Sequence, residues 1–167
     1  MESIIHDIAE ALDGLPKELI VFIISLFPIL ELRGGLIASA LLGLPLGRGI
    51  VFSLLGNIVP IPFILLLITP IFDRLKKTKR IRPLVEKLEA RSMGKSERIQ
   101  KYEFLGLMLF VGIPLPGTGA WTGGLIASLL HIKLKKAVPA IFLGLLMATV
   151  IMCIITYGIP ALIKEAV

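Results

Sequence analysis

The stretch Gly34-Gly35-Leu36-Ile37-Ala38-Ser39 returns, letter for letter, as Gly123-Gly124-Leu125-Ile126-Ala127-Ser128. Each copy follows an apolar segment carrying proline. The first is Phe27-Pro28-Ile29-Leu30-Glu31-Leu32-Arg33, and the second runs Ile113-Pro114-Leu115-Pro116-Gly117-Thr118-Gly119-Ala120-Trp121-Thr122. After a one-residue slip the pairing continues, with Leu44, Leu46 and Gly56 opposite Ile132, Leu134 and Gly144. The chain is built twice, and each half carries a helix-breaking centre. In an apolar chain this pattern points to a membrane transporter whose site lies between two broken helices.

Working outward from the repeat, the rest of the chain supports a membrane reading. It is 56% hydrophobic and 18% charged, with a mean hydropathy of +0.91; a soluble domain is about a quarter charged. The charge is clustered. Leu19–Phe72 holds only Glu31, Arg33 and Arg48, and Leu105–Ile132 holds no Asp, Glu, Lys or Arg. A water-soluble core cannot hide that much apolar length, so the expected class is an all-α integral membrane protein. The whole chain, 1–167, reads as one membrane domain.

Its parts follow from composition. Residues 1–16 read as an amphipathic N-terminal helix, with Ile4, Ile5, Ile8, Ala11 and Leu12 at helical spacing and acids between them. Those acids are expected to exclude a secretory signal. Residues 17–72 form repeat 1, in which Arg48–Phe72 is long enough to span and Pro60 and Pro62 bend or interrupt it. Residues 73–101 form a strongly basic connector, and 102–167 form repeat 2, with a second span over Ala137–Ile163. The arms on either side of each break have only about ten residues, half of the roughly 20 needed to cross. Two arrangements are open: one bent span per broken segment, or a re-entrant hairpin that enters and leaves on one side. Charge placement favours the second. With the basic connector in the cytoplasm, re-entrant hairpins put the acidic N-terminus outside and Lys133-Lys135-Lys136 inside. The two repeats are then inverted, each a re-entrant helical hairpin followed by a transmembrane helix.

Glu31 and Arg33 are the leading functional candidates, because charge at membrane depth is costly and usually faces a cavity or a partner. Glu31 reads as a proton- or cation-binding carboxylate, Arg33 as an anion clamp; the alternative is an ion pair that satisfies an unwound backbone. Helices starting near Gly34-Gly35 and near Ala120 would present free N–H groups and dipole ends to an anion. Pro114, Pro116, Gly117 and Gly119 make the second break, where Thr118, Trp121 and Thr122 add hydroxyls and a ring. Glycine and proline also serve tight helix packing. Asn57 and Ser53 share one face of the first span, as path lining or as polar glue. Cys153 reads as a small buried hydrophobe. No metal-ligand spacing, nucleophile–base pair or nucleotide fingerprint is present in the sequence, so the expectation is no enzyme, no catalytic residue, no metal and no cofactor.

The stretches Pro28–Gly35, Gly56-Asn57-Ile58-Val59-Pro60-Ile61-Pro62 and Gly112–Gly123 resemble the small multidrug export family of prokaryotic membrane proteins. More distantly, the layout is similar to the DedA/VTT superfamily, whose members have inverted re-entrant hairpins and are linked to lipid-carrier translocation and lipid scrambling. That likeness implies Glu31 as the membrane-embedded acid. The basic residue of the second DedA hairpin has no counterpart in Gly117-Thr118-Gly119-Ala120-Trp121-Thr122.

The expected function is therefore secondary transport of a small amphipathic substrate with an anionic headgroup, coupled through Glu31. An uncoupled lipid scramblase and a non-transporting membrane scaffold are the rivals. Expected partners are anionic lipid headgroups at the basic connector and a second copy of the chain in a homodimer, with no nucleic acid. The expected location is the cytoplasmic membrane, crossed more than once.

Overall fold

The computed structural model describes residues 14–76, 103–130 and 132–160. The N-terminal amphipathic helix lies outside the described residues, except for its last three positions. So does the basic connector from residue 77 onward.

All regular structure among the described residues is helical. Helix α1 (Lys17–Leu26) follows Pro16 and carries Glu18 in its first turn. It ends because Phe27 precedes Pro28 and is held extended, at φ −73 and ψ 133. Helix α2 (Glu31–Leu41) restarts after the turn. It stops at Gly43, whose φ of 66 lets Leu44 N–H reach Ser39 O at 3.0 Å and Gly43 N–H reach Ala40 O at 3.1 Å. Helix α3 (Leu46–Ile58) then runs almost directly into α4 (Pro60–Lys76). Proline lacks an N–H and is tolerated where a helix opens, so the expected interruption falls at Val59, with Pro60 as the first residue of α4 and Pro62 inside it.

The second half repeats this plan. Helix α5 (Glu103–Gly112) is followed by a loop and by α6 (Ala120–Leu129), which ends with Ile132 N–H on Ala127 O at 2.9 Å. Lys133, at φ −56 and ψ 133, opens α7 (Leu134–Cys153) as Pro45, at φ −55 and ψ 135, opens α3. A π-helical turn over Ile154–Gly158 continues α7. The second span therefore starts three residues earlier than the sequence suggested.

Leu46–Ile68 and Leu134–Gly158 are each long and apolar enough to cross a membrane. At 23 and 25 residues they measure roughly 35 Å, against a hydrocarbon core of about 30 Å. The four arms, of 10 or 11 residues, measure roughly 15 Å.

Packing also follows the repeat. Helix α1 lies along α3, and α5 along α7. Gly56 brings α3 against Phe22 O, and Gly144 brings α7 against Met108 O, where a methyl group would stand 2.7 Å away. Arg48 Nη1 meets Glu18 Oε1 at 3.1 Å, and Lys136 Nζ meets Glu103 Oε2 at 2.6 Å, at matching points of the two halves. The second arms exchange partners: α6 packs on α4 of the first half, and α2 packs on α7 and its π turn. One buried cluster joins both halves, including Leu32, Leu36, Ile61, Leu107, Val111, Ala127, Ile141 and Leu145. A smaller one, around Ile24, Leu30 and Ala38, belongs to the first half. Large apolar side chains such as Val51, Phe63, Leu66 and Val150 remain exposed, as expected where lipid rather than water is the solvent.

Candidate functional site

The first break is a tight turn. Leu30 N–H and Glu31 N–H both bond Phe27 O, at 3.2 and 2.9 Å. The turn leaves Glu31 in the left-handed region, at φ 50, the only non-glycine residue there among the described residues. Such a conformation costs of order 1–3 kcal/mol and persists where surrounding contacts enforce it.

Those contacts come from the second break. Residues 113–119 turn through Gly117 and Gly119, at φ 76 and 133. Thr118 ties the loop together, with Oγ1 at 2.7 Å from Leu115 O and 2.9 Å from Ile113 O. Helix α6 then begins at Ala120 without a side-chain cap of its own. Its start is occupied by Glu31: Trp121 N–H donates to Glu31 Oε1 at 3.0 Å. Gly119 makes this approach possible. A Cβ there would overlap Oε2 and stand 2.6 Å from the carboxyl carbon. Glu31 itself is only 5% exposed. A buried carboxylate needs compensation, and a free N–H at the positive end of a helix supplies it.

Arg33, half-buried and two residues along α2, reaches the same loop. Its Nη1 donates to Leu115 O at 2.8 Å, and its Nη2 donates to Thr118 Oγ1 at 2.8 Å. The two charged side chains of the first break thus hold opposite ends of the second: the carboxylate sits on the N–H end of α6, and the guanidinium on the carbonyls that follow α5. The uncapped start of α6 is satisfied by the other half, and the carbonyls after α5, already bonded by Thr118, gain a second donor from it.

The structure brings together Glu31, Arg33, Pro114, Pro116, Gly117, Thr118, Gly119 and Trp121. It corrects the expected place of Gly34 and Gly35. They lie inside α2 rather than in the break, buried against Leu30 and against Ser25 and Ser53, so they serve close packing and present no free N–H ends. Thr122 lies in the first turn of α6. Asn57 is fully buried, and neither its Nδ2 nor its Oδ1 has a hydrogen-bond partner; the same holds for Ser53 Oγ and Trp121 Nε1. Sequence reasoning did not foresee that Glu31 would cap α6. The available signal was a glycine immediately before a helix that carries no capping side chain. No group of His, Cys, Asp and Glu able to hold a metal occurs among the described residues.

The described residues thus form an all-helical fold with two candidate membrane spans and two helix breaks latched to each other by Glu31 and Arg33. The chain belongs to the family described as "putative small multi-drug export protein", which matches residues 31–151. The match begins at Glu31, directly after the first turn, and takes in the second break, the first long helix and most of the second. No curated protein and no solved structure matches the chain, and the likeness to the DedA/VTT superfamily draws no support from these comparisons.

Proposed function

We propose that this protein is a secondary transporter of the cytoplasmic membrane. It moves an amphipathic substrate with an anionic headgroup, coupled to a proton or cation taken up at Glu31. One observation carries this reading: the Glu31 carboxylate occupies the N-terminal end of α6, where an anion would otherwise bind. Substrate anion and carboxylate compete for one helix end. When Glu31 takes up a proton it gives up its charge and its hold on Trp121 N–H. The helix end and the Arg33 guanidinium then become available to the headgroup. When the anion leaves, Glu31 loses its proton and returns. Proton and anion are thus bound and released together, and coupling is obligatory because the carboxylate and the anion cannot share the helix end.

The contacts support a topology for this cycle. Lys17 Nζ donates to Leu42 O at 2.7 Å, so α1 starts where α2 ends. The Glu18–Arg48 pair places the start of α3 at the same end, and Glu103–Lys136 does the same for α5 and α7. Gly49, early in α3, lies beside Tyr157, at the end of the second long helix. We read each arm pair as a re-entrant hairpin and the two halves as inverted. An apolar cavity of about 180 Å³, lined by Pro62, Leu65, Leu66, Leu134, Val138 and Phe142, suits the substrate's apolar part. Anionic lipid at the basic connector and a homodimer complete the proposal.

The test uses proteoliposomes carrying a fluorescent phosphatidylglycerol, with leaflet exposure read by dithionite. Transport predicts movement that depends on the pH gradient and stops in Glu31→Gln. Movement without a gradient that survives Glu31→Gln would indicate a scramblase. A scaffold predicts no movement, with cellular function intact in Glu31→Gln and Arg33→Ala.

A further inference from the structure

We infer that the serine and asparagine face of α3 is a hydrated lane through which a proton reaches Glu31 from the turn at residues 42–45. This rests on the coupling role proposed for Glu31, and it adds the route and the side from which the proton comes.

The lane is defined by register. Helices α2 and α3 run antiparallel, with Ser39 against Gly49 and, one helical turn on, Gly35 against Ser53. The next turn brings Glu31 to the level of Asn57. Polar groups therefore follow one another from the outer end of α2 to the first break. Tyr157 O–H meets Ser39 Oγ at 3.0 Å; Ser53 Oγ lies 2.7 Å from where a Gly35 methyl would stand; then come Asn57 and Glu31. Along α2 the distance is about 12 Å.

Two features separate this lane from ordinary helix packing. First, Ser53 and Asn57 are 0% exposed, yet Ser53 Oγ, Asn57 Nδ2 and Asn57 Oδ1 have no partner. Three such atoms within one turn would be costly in an interior that offered them nothing; each is a place where water bonds. Second, the lane exists in one half only. Where the repeat pairs Gly56 with Gly144, Ser53 and Asn57 pair with Ile141 and Leu145, both 1% exposed. The scaffold tolerates aliphatic side chains at these positions, and polarity is confined to the half that carries Glu31.

The step is a simple protonation: a proton from water at the turn passes along the lane to the Glu31 carboxylate and makes it a neutral acid. Charged and titratable groups facing this region are few. Arg33 lies on the same helix; Tyr157 and Cys153 come from α7 and its π turn; Lys17, Glu18 and Arg48 stand at the outer ends of α1 and α3. From α6, Glu31 is met by the Trp121 N–H and Gly119. With re-entrant, inverted halves and the connector inside, the turn at 42–45 faces outward, so protons enter from outside.

Trp121 is the chain's single tryptophan, and its backbone N–H holds Glu31, so its indole is an intrinsic probe on the residue that binds the carboxylate. In oriented proteoliposomes, an acid jump on the side of the turn should change Trp121 emission rapidly, and a jump on the other side slowly. Asn57→Leu, which installs the residue of the second half, should slow the first response by an order of magnitude while leaving the equilibrium titration unchanged. Ser53→Ala, a smaller change, should slow it as well. Unaltered rates in both variants would overturn the lane and leave the coupling role standing. A titration that persists in Glu31→Gln would overturn both.

Discussion

Gly119→Ala is a one-methyl change that should undo the latch between the halves. The backbone there has φ 133 and ψ −175, a region essentially reserved for glycine, so alanine costs about 1–3 kcal/mol in strain. The new methyl would also overlap Glu31 Oε2, forcing the carboxylate off Trp121 N–H. Losing a hydrogen bond to a charged group adds about 1.5–3 kcal/mol. The expected total is about 2.5–6 kcal/mol, the sum of those two ranges. Gly117→Ala is the control: φ is 76, nothing lies within 4 Å, and only about 1–2 kcal/mol of strain is expected. The decisive comparison is Gly119→Ala in a Glu31→Ala background, where the methyl meets no carboxylate and only strain remains. The double-mutant cycle, read by reversible SDS unfolding with Trp121 fluorescence, should show coupling of about 1.5–3 kcal/mol. Costs that add within about 0.5 kcal/mol would refute the contact as the source of the effect.

Other expectations follow from the same geometry. Thr118→Val removes the hydroxyl that accepts from Arg33 and ties the loop to Leu115 O; it should cost about 1–2 kcal/mol in the same unfolding assay, with Thr118→Ser close to neutral. Gly56→Ala and Gly144→Ala should destabilise to a similar degree, about 1–3 kcal/mol each by overpacking, whereas Gly47→Ala, with open space around it, should not. In a Cys153→Ser background, single cysteines at Gly47 and Lys135 should react with impermeant maleimide from opposite sides of the membrane. Labelling from one side would remove the inverted arrangement.

The repeat, the two long helices and the position of the second break were legible in the sequence, because duplication, apolar length and Pro-Gly clustering are local signals. The first break reads in the sequence as Pro28 together with Gly34-Gly35, whereas the structure confines it to the turn at Pro28. Two adjacent glycines read as a breaker when the neighbour that needs their missing side chains is unknown, and here those neighbours are Ser25 and Ser53. Pro28 alone ends α1, through the extended Phe27. Glu31 and Arg33 stood out as charge in an apolar stretch. Their partners did not, because Trp121 and Leu115 come from the other half of the chain, and no periodicity encodes which helix end a distant carboxylate will meet. The polar face of α3 was seen in part, as Ser53 and Asn57. Its continuation through Ser39 to Tyr157 depends on the register of α2 against α3 and on the π turn that carries Tyr157.

The cross-fitting of Glu31 and Arg33 into the other half bears on how such a chain can diverge. In a dimer of two identical copies of the first half, each break would need its own acid and base, and each would serve the copy opposite. Once the halves share one chain, a single acid and a single base suffice, and the second break is free to lose its own. Thr118, Gly119 and Trp121 fit that division of labour: a receiving surface shaped around charges it does not itself carry. Severed halves should therefore be useless alone and recover only when supplied together.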